Sequence, residues 1–304
     1  IVMPNTCPPI LTGEGVARYR KEIDAANNGE PFEPLMTIEI RDGTTPKTIQ
    51  KARKAGAVAG KVYLRGTTTN ADEGLTSFFN PKIADTFRAM RDEGMLLLLH
   101  GELAEDRLLV TEREQAFIGR VFRRLIDDIP GLKIVLEHIS TRYAVQAVLE
   151  AGKNVAATVT AHHLCTTLND VIGHGVKPHN ACNPTPKGFT DMDALVLAAI
   201  SGNSKFFLGS DSAPHPRKLK ECSRGACGVF SAPILLPLLA QIFEQQGALD
   251  KLENFISRFG AEFYGLPLNK ETVTLERKAW RVPCHYYGEL IPFMASETLS
   301  WRAA

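Results

Sequence analysis

A regular alternation between short apolar runs and longer amphipathic segments constrains this chain more than any other feature. Residues 96–99 are four consecutive leucines and residues 134–136 read Ile-Val-Leu, as expected for strands buried on both faces of a parallel sheet. Strands are predicted at residues 1–3, 34–40, 58–64, 95–100, 133–138, 155–160 and 206–211. Helices are predicted between and after them, at residues 13–27, 45–55, 81–93, 112–128, 142–150, 191–200, 233–245 and 252–263. The pattern predicts an α/β fold, either an open doubly wound sheet or a (β/α)₈ barrel.

The composition is that of an ordinary globular protein. Of 304 residues, 44% are hydrophobic and 23% charged, which excludes a mainly disordered chain. A formal net charge of +1 excludes a strongly basic nucleic-acid binder. No apolar run approaches the ~18 residues of a membrane span. The six cysteines are scattered, so we interpret them as reduced thiols of a cytoplasmic protein, and we expect residues 1–304 to form a single domain.

Chemically active side chains follow several predicted strands at the point where each strand ends: Asn5, His100, His138 and Asp211. Catalytic residues at the carboxyl ends of many strands are typical of a barrel, whereas an open sheet gathers them at one switch point. This distribution favours the barrel. A lone strand-end histidine is more often structural than a ligand, but two histidines and an aspartate together favour a site for a zinc-like divalent metal.

Lys61 lies in the middle of a predicted buried strand. A charged lysine is costly to bury, and burial favours the neutral amine. A neutral amine can react with carbon dioxide to give a carbamate, an anionic oxygen ligand that can bridge two cations. A lysine that extends to the barrel rim is the alternative explanation. Beside His100, His138 and Asp211, we favour the carbamate.

Five short motifs occur in the order and spacing found in dihydroorotases. They are Met-Pro-Asn at residues 3–5, Lys-Val-Tyr at 61–63, His-Gly-Glu at 100–102, Glu-His-Ile at 137–139 and Gly-Ser-Asp-Ser-Ala-Pro-His at 209–215. Further matches are Thr-Thr-Thr-Asn at 67–70, Lys-Pro-His at 177–179 and Phe-Tyr-Gly-Leu-Pro at 263–267. Over essentially its whole length the chain resembles the monofunctional class II dihydroorotases of the amidohydrolase superfamily.

This resemblance implies a (β/α)₈ TIM barrel and the reversible, zinc-dependent cyclisation of N-carbamoyl-L-aspartate to L-dihydroorotate in pyrimidine (UMP) biosynthesis. It implies two Zn²⁺ ions per subunit, bridged by a carboxylated Lys61, with His100 and His138 as ligands of the less buried ion. Asp211 would be the remaining ligand and would shuttle the proton while a metal-bridging hydroxide attacks the ring amide. Bound zinc suits this chemistry because it lowers the pKa of water to about 7.

The resemblance also implies a set of substrate contacts. Asn5 and His215 would contact the substrate carboxylate, and the backbones of Asn183 and Cys227 would hold the pyrimidine ring. Residues Thr68 and Thr69 would form the tip of a mobile loop that closes over the substrate and excludes water. The expected partners are this small anionic substrate and a second copy of the chain in a homodimer, with no nucleic acid and no membrane.

One departure from the family pattern concerns the metal ligands. The family carries a His-x-His pair on its first barrel strand, followed by an arginine that binds the substrate carboxylate, and this sequence contains no His-x-His. The adjacent His162 and His163 are not expected to replace the pair, because neighbours on a strand point to opposite faces. In the family the missing strand lies just upstream of residue 1, so we expect an N-terminally incomplete sequence that lacks the first strand. The more buried zinc could then be absent.

Two other functions fit parts of the same pattern. The ligand residues alone also fit another cyclic-amide hydrolase, such as a hydantoinase or allantoinase. The missing histidine pair is the only feature that suggests a catalytically silent barrel acting as a scaffold. The motifs at residues 67–70 and 209–215 favour the dihydroorotase.

Overall fold

A computed structural model describes all residues from 1 to 304, and the chain divides into two compact units. The first unit comprises Ile1–Glu137 and Ala151–Val155. The second comprises His138–Glu150 and Ala156–Ala304. That residues 1–304 act as a single domain stays a prediction.

The first unit alternates strands and helices. Its elements are α1 (Gly13–Ala26), β1 (Met36–Ile40), α2 (Pro46–Lys54), β2 (Ala57–Val62), α3 (Pro81–Asp92), β3 (Leu96–His100), α4 (Arg113–Phe117), a π-helical turn (Ile118–Phe122), α5 (Arg123–Asp128) and β4 (Ile134–Glu137). The four strands pair in chain order, and each pairing is parallel. Every residue of β1, β3 and β4 is buried, which explains the apolar runs at residues 96–99 and 134–136.

The second unit begins with α6 and includes most of β5. Its elements are α6 (Arg142–Glu150), β5 (Val155–Val159), α7 (Asn169–Ile172), α8 (Phe189–Ile200), β6 (Phe206–Leu208), α9 (Arg217–Lys220), α10 (Leu235–Gln245), α11 (Phe259–Tyr264), β7 (Leu275–Glu276), β8 (Trp280–Arg281), β9 (Thr298–Leu299) and β10 (Arg302–Ala303). Strands β5 and β6 pair in parallel, whereas β7 pairs with β10 and β8 with β9 in antiparallel fashion.

Six of the seven predicted strands form, and the prediction of a strand at residues 1–3 is wrong. The amide of Val2 donates to the carbonyl of Leu35 at 2.9 Å, but the carbonyl of Val2 accepts from the side-chain hydroxyl of Thr37. Pro4 then offers no N–H to continue a ladder, so the segment makes one backbone bond rather than a strand. The predicted irregular segment after residue 266 contains the two short antiparallel pairs.

Local signals explain where the helices begin. Thr45 accepts from the amide of Thr48, whose side chain bonds back to the amide of Thr45, and Pro46 occupies the first turn. This capping box satisfies donors that the first turn leaves without helical partners. None of the helices is long and apolar enough to cross a membrane.

Candidate functional site

In the first unit, Lys61 is held inside the sheet by a buried carboxylate. It lies on β2, in register with Leu98 of β3, and only 1% of its surface is exposed. Its ammonium contacts the carboxylate of Glu137, the last residue of β4. The same Nζ lies 5.0 Å from the centroid of the Tyr63 ring. Since an unpaired charge could not be buried here, Glu137 is the group that makes a lysine tolerable at this position.

His100 ends β3 beside a second buried carboxylate. Its Nε2 lies 3.1 Å from Oε2 of Glu102, and both side chains are buried. Burial lowers the pKa of His100, and the hydrogen bond to Glu102 opposes that effect. The second carboxylate oxygen, Oε1 of Glu102, is buried without a hydrogen-bond partner. An imidazole beside an unsatisfied carboxylate oxygen is a donor set that fits a divalent cation.

Two of the predicted substrate contacts in the first unit meet directly. Nδ2 of Asn5 donates to the carbonyl of Thr69 at 3.3 Å, and Nδ2 of Asn70 donates to the carbonyl of Asn5 at 3.0 Å. Thr68 and Thr69 lie in the same turn and are partly exposed, whereas Thr67 before them is buried. The structure therefore joins Asn5 to the loop of Thr68 and Thr69, whereas their contact with a substrate stays a prediction.

In the second unit, His138 and Asp211 share an unusual backbone conformation. His138 follows β4 with φ of 44°, and Asp211 follows β6 with φ of 40°. Non-glycine residues rarely adopt this left-handed region, and such outliers gather at functional sites where the surroundings hold them. The amide of His138 donates to Oγ1 of Thr158 at 2.7 Å, so β5 holds this conformation in place. Both predicted ligands are thus positioned by strained strand ends.

The remaining predicted substrate contacts lie on two neighbouring segments of the second unit. Nε2 of His215 donates to the carbonyl of Cys227 at 3.2 Å. The amide of Gly228 donates to the carbonyl of Ala181 at 2.8 Å, two residues before Asn183. The structure therefore brings the Asn183 and Cys227 segments together.

Lys220, at the end of α9, donates hydrogen bonds to both of these segments. The sequence does not predict this role. Its buried ammonium donates to the carbonyls of Ala181, Ala226 and Gly228. All three ammonium protons have an acceptor, which offsets the cost of burying the charge. No sequence signal marks this lysine, because its acceptors come from two different segments. Glu102 and Glu137 were likewise given no role, although both lie inside motifs that were recognised.

The prediction that His162 and His163 point to opposite faces of a strand is wrong. They lie instead in a turn beyond β5, and their ring centroids are 4.8 Å apart. The alternation of a strand does not apply in a turn, so both rings turn to the same side, close to Cys182.

Known proteins similar to this chain include dihydroorotases. The dihydroorotase of Teredinibacter turnerae is 46% identical over 306 residues, covering 99% of this chain and 88% of its own. The crystal structure of the dihydroorotase of Campylobacter jejuni aligns with a TM-score of 0.90 at 37% identity, covering 99% of this chain and 86% of its own. The dihydroorotase of Saccharomyces cerevisiae, crystallised with 5-fluoroorotic acid, aligns with a TM-score of 0.88 at 35% identity, covering 99% and 88%. No family model matches the chain. The fold is therefore of the α/β TIM-barrel type, as predicted.

Proposed function

This chain belongs to the dihydroorotase family of the amidohydrolase superfamily, and from that premise we propose that it interconverts N-carbamoyl-L-aspartate and L-dihydroorotate. The full-length likeness to dihydroorotases carries this proposal. The motif residues support it, because each predicted ligand lies at a buried or conformationally strained position at or near a strand. The chain is thus a hydrolase acting on cyclic amides.

Four side chains are proposed to hold the metal: Lys61 in carboxylated form, His100, His138 and Asp211. The donor set fits, since imidazole nitrogen and carboxylate oxygen are ordinary zinc ligands. The unsatisfied Oε1 of Glu102 beside His100 supports a cation in that part of the first unit. When bound, zinc would lower the pKa of a water molecule and polarise the carbonyl of the substrate. Two Zn²⁺ ions per subunit are proposed, as in the family pattern, and the more buried ion would need the His-x-His pair that residues 1–304 do not contain.

Carboxylation of Lys61 requires that its ion pair with Glu137 be replaced by another interaction. In the structure its ammonium is paired with Glu137. Carboxylation replaces that positive charge with a negative one and leaves two like charges together, unless a cation lies between them. Carbamate formation at Lys61 and metal binding are therefore expected to occur together.

Asp211 is proposed to move the proton. In the hydrolytic direction the oxygen of water adds to the ring carbonyl carbon, the carbon–nitrogen bond breaks, and the released nitrogen takes up a proton. Asp211 accepts the proton from the attacking water and delivers it to that nitrogen. Its left-handed backbone is consistent with a side chain positioned for reaction.

Substrate binding is assigned to donors in both units. Asn5, Thr68, Thr69 and His215 are proposed to bind the substrate carboxylate or close over it, and the backbones at Asn183 and Cys227 to hold the ring. Hydrogen bonds to an anion are stronger than those to a neutral group, so a few placed donors suffice. The two units are proposed to form one hydrolase domain, which acts in the cytoplasm as a homodimer.

Rates with three cyclic amides separate this function from its alternatives. The metal-replete full chain is expected to hydrolyse dihydroorotate and to form it from N-carbamoyl-aspartate. The absorbance of the ring amide measures both reactions. Hydantoin and allantoin should be poor substrates. Turnover of hydantoin or allantoin without dihydroorotate would support another cyclic-amide hydrolase. No bound metal and no turnover of any of the three would favour a catalytically silent scaffold.

A further inference from the structure

Three buried side chains that the proposed reaction does not use meet in the second unit. The ligand atoms of His162, His163 and Cys182 lie within 4.8 Å of one another. His162 and His163 follow β5, whereas Cys182 belongs to the segment that carries Asn183. The cluster therefore joins the turn after β5 to the segment of Asn183.

His162 is the member of the cluster whose buried ring nitrogens lack hydrogen-bond partners. It is 1% exposed, and neither of its ring nitrogens has a hydrogen-bond partner. Buried polar atoms are nearly always paired, so two unsatisfied nitrogens on one ring are exceptional. Burial lowers the pKa of His162 well below 6.5, so the ring is neutral near pH 7 and offers a lone pair. The ring of Phe293 packs edge-on against the ring of His162, with 6.2 Å between the two centroids, and offers it no hydrogen-bond partner.

The neighbouring atoms have the spacing of tetrahedral ligands. Sγ of Cys182 lies 3.9 Å from Nε2 of His163 and 3.2 Å from the carbonyl oxygen of Pro184. That oxygen lies 2.9 Å from Nε2 of His163. Zinc bonds of about 2.1 Å to nitrogen or oxygen and 2.3 Å to sulfur place tetrahedral ligands roughly 3.4–3.6 Å apart. The observed distances bracket this range, so small shifts would accommodate an ion.

A hydrogen bond behind His163 supports the same arrangement. Its Nδ1 lies 2.8 Å from Oγ1 of Thr160. Metal-binding histidines nearly always give their second ring N–H to such an oxygen, which fixes the ring and the tautomer. On binding, the thiol of Cys182 would release its proton, and the proton of His163 would move from Nε2 to Nδ1. One proton therefore leaves for each ion bound.

We propose that His162, His163 and Cys182, with the carbonyl oxygen of Pro184, form a second, structural site for a zinc-class divalent cation. The site shares no residue with the catalytic ligand set, and all of its residues belong to the second unit. It would fasten the segment of Asn183, which is proposed to hold the substrate ring, to the end of β5. Its existence does not depend on the proposed reaction.

Cobalt reports this site selectively because a thiolate bound to Co²⁺ gives an intense charge-transfer band in the near ultraviolet. The proposed catalytic ligands contain no sulfur, so that band can come only from a cysteine site. The full chain is stripped of metal and titrated with Co²⁺ alone, and bound metal is counted by mass spectrometry. We expect the band in the unaltered chain and in C222S, which changes an exposed cysteine of the same unit.

Two variants test the assignment. C182S should lose the band and one equivalent of bound metal per chain. H162Q should keep a weaker band and bind Co²⁺ roughly tenfold less tightly or worse, as loss of a ligand requires. Far-ultraviolet circular dichroism shows whether each variant folds. If C182S does not fold, the Co²⁺ affinity of H162Q is the result that tests the proposed site. No band in the unaltered chain, a band that survives C182S, or unchanged Co²⁺ affinity in H162Q would overturn the proposal, whatever the chain does with dihydroorotate.

Discussion

Lys61 shows how a single buried charge directs the chemistry around it. A mid-strand lysine was singled out from the sequence, but the sequence could not show that Glu137 would meet it from β4. That contact depends on the register of β2, β3 and β4, which only the folded sheet sets. The motif residues could thus be predicted one by one, whereas their buried partners could not.

Replacing Lys61 with alanine should strip the catalytic metal and abolish turnover. The change also leaves Glu137 buried without its partner, and breaking such a pair costs about 3–5 kcal/mol. Small carboxylic acids that stand in for the carbamate should restore part of the activity. Metal content and dihydroorotate hydrolysis, each with and without added acetate, are the measurements. The exposed Lys54→Ala provides the control, and activity of K61A without any rescue would argue against a carboxylated lysine.

Asp211→Asn should separate metal binding from proton transfer. The amide oxygen can still coordinate a cation, but an amide does not accept a proton near neutral pH. Metal content should therefore remain largely intact while kcat falls by about 10²–10⁴, the usual contribution of a positioned acid–base group. Turnover close to that of the unaltered chain would remove Asp211 from its proton role.

His215 should respond to the charge of Lys220. Burial and that positive charge lower the pKa of His215 below 6.5, and the bond to the carbonyl of Cys227 opposes them. The folded state then binds fewer protons than the unfolded state, so the stability contributed by neutral His215 is present above pH 6.5. It is lost as the pH falls from there toward the lowered folded value.

Lys220→Met should raise the pKa of His215 toward 6.5 and reduce this loss of stability in acid. An NMR titration of the His215 ring proton gives the pKa directly. Lys218→Met, on the exposed side of the same helix, should leave it unchanged. A pKa of His215 that is the same in K220M and the unaltered chain would contradict the assignment.

At the scale of the elements, most of the fold could be predicted, because continuous apolar runs mark buried parallel strands. The errors occur where the rule for an element stops applying. Residues 1–3 have the sequence of a strand, but Pro4 offers no N–H to continue its ladder. His162 and His163 follow a strand in the sequence, but they lie in a turn. Lys220 could not have been predicted, because its carbonyl partners come from segments that only the fold brings together.

Gly209 marks a close approach between the end of β6 and β5. A Cβ at this position would lie 2.6 Å from Cβ of Thr158, the residue whose hydroxyl holds the amide of His138. Gly209→Ala should therefore lower the free energy of unfolding by about 1–3 kcal/mol through overpacking. Urea denaturation measures it. Gly119→Ala, where a Cβ has open space, should be neutral or stabilising, and an equal effect of both changes would contradict the steric explanation.

At the scale of the whole molecule, a net charge of +1 provides no strong field to attract an anionic substrate. In the proposed function, binding therefore depends on local donors within each unit: Asn5, which bonds to the carbonyl of Thr69, in the first, and His215, which bonds to the carbonyl of Cys227, in the second. The ligand set is divided in the same way, with Lys61 and His100 in the first unit and His138 and Asp211 in the second. These residues could be proposed from the sequence because motif order along the chain does not depend on folding.

The most direct test of a metal-dependent dihydroorotase is the initial rate of dihydroorotate hydrolysis by the full chain before chelation, after chelation and after zinc is added back. The account predicts turnover that disappears with the chelator and returns with Zn²⁺. Turnover that survives complete removal of metal, or none at all from a folded chain supplied with zinc and carbon dioxide, would contradict it.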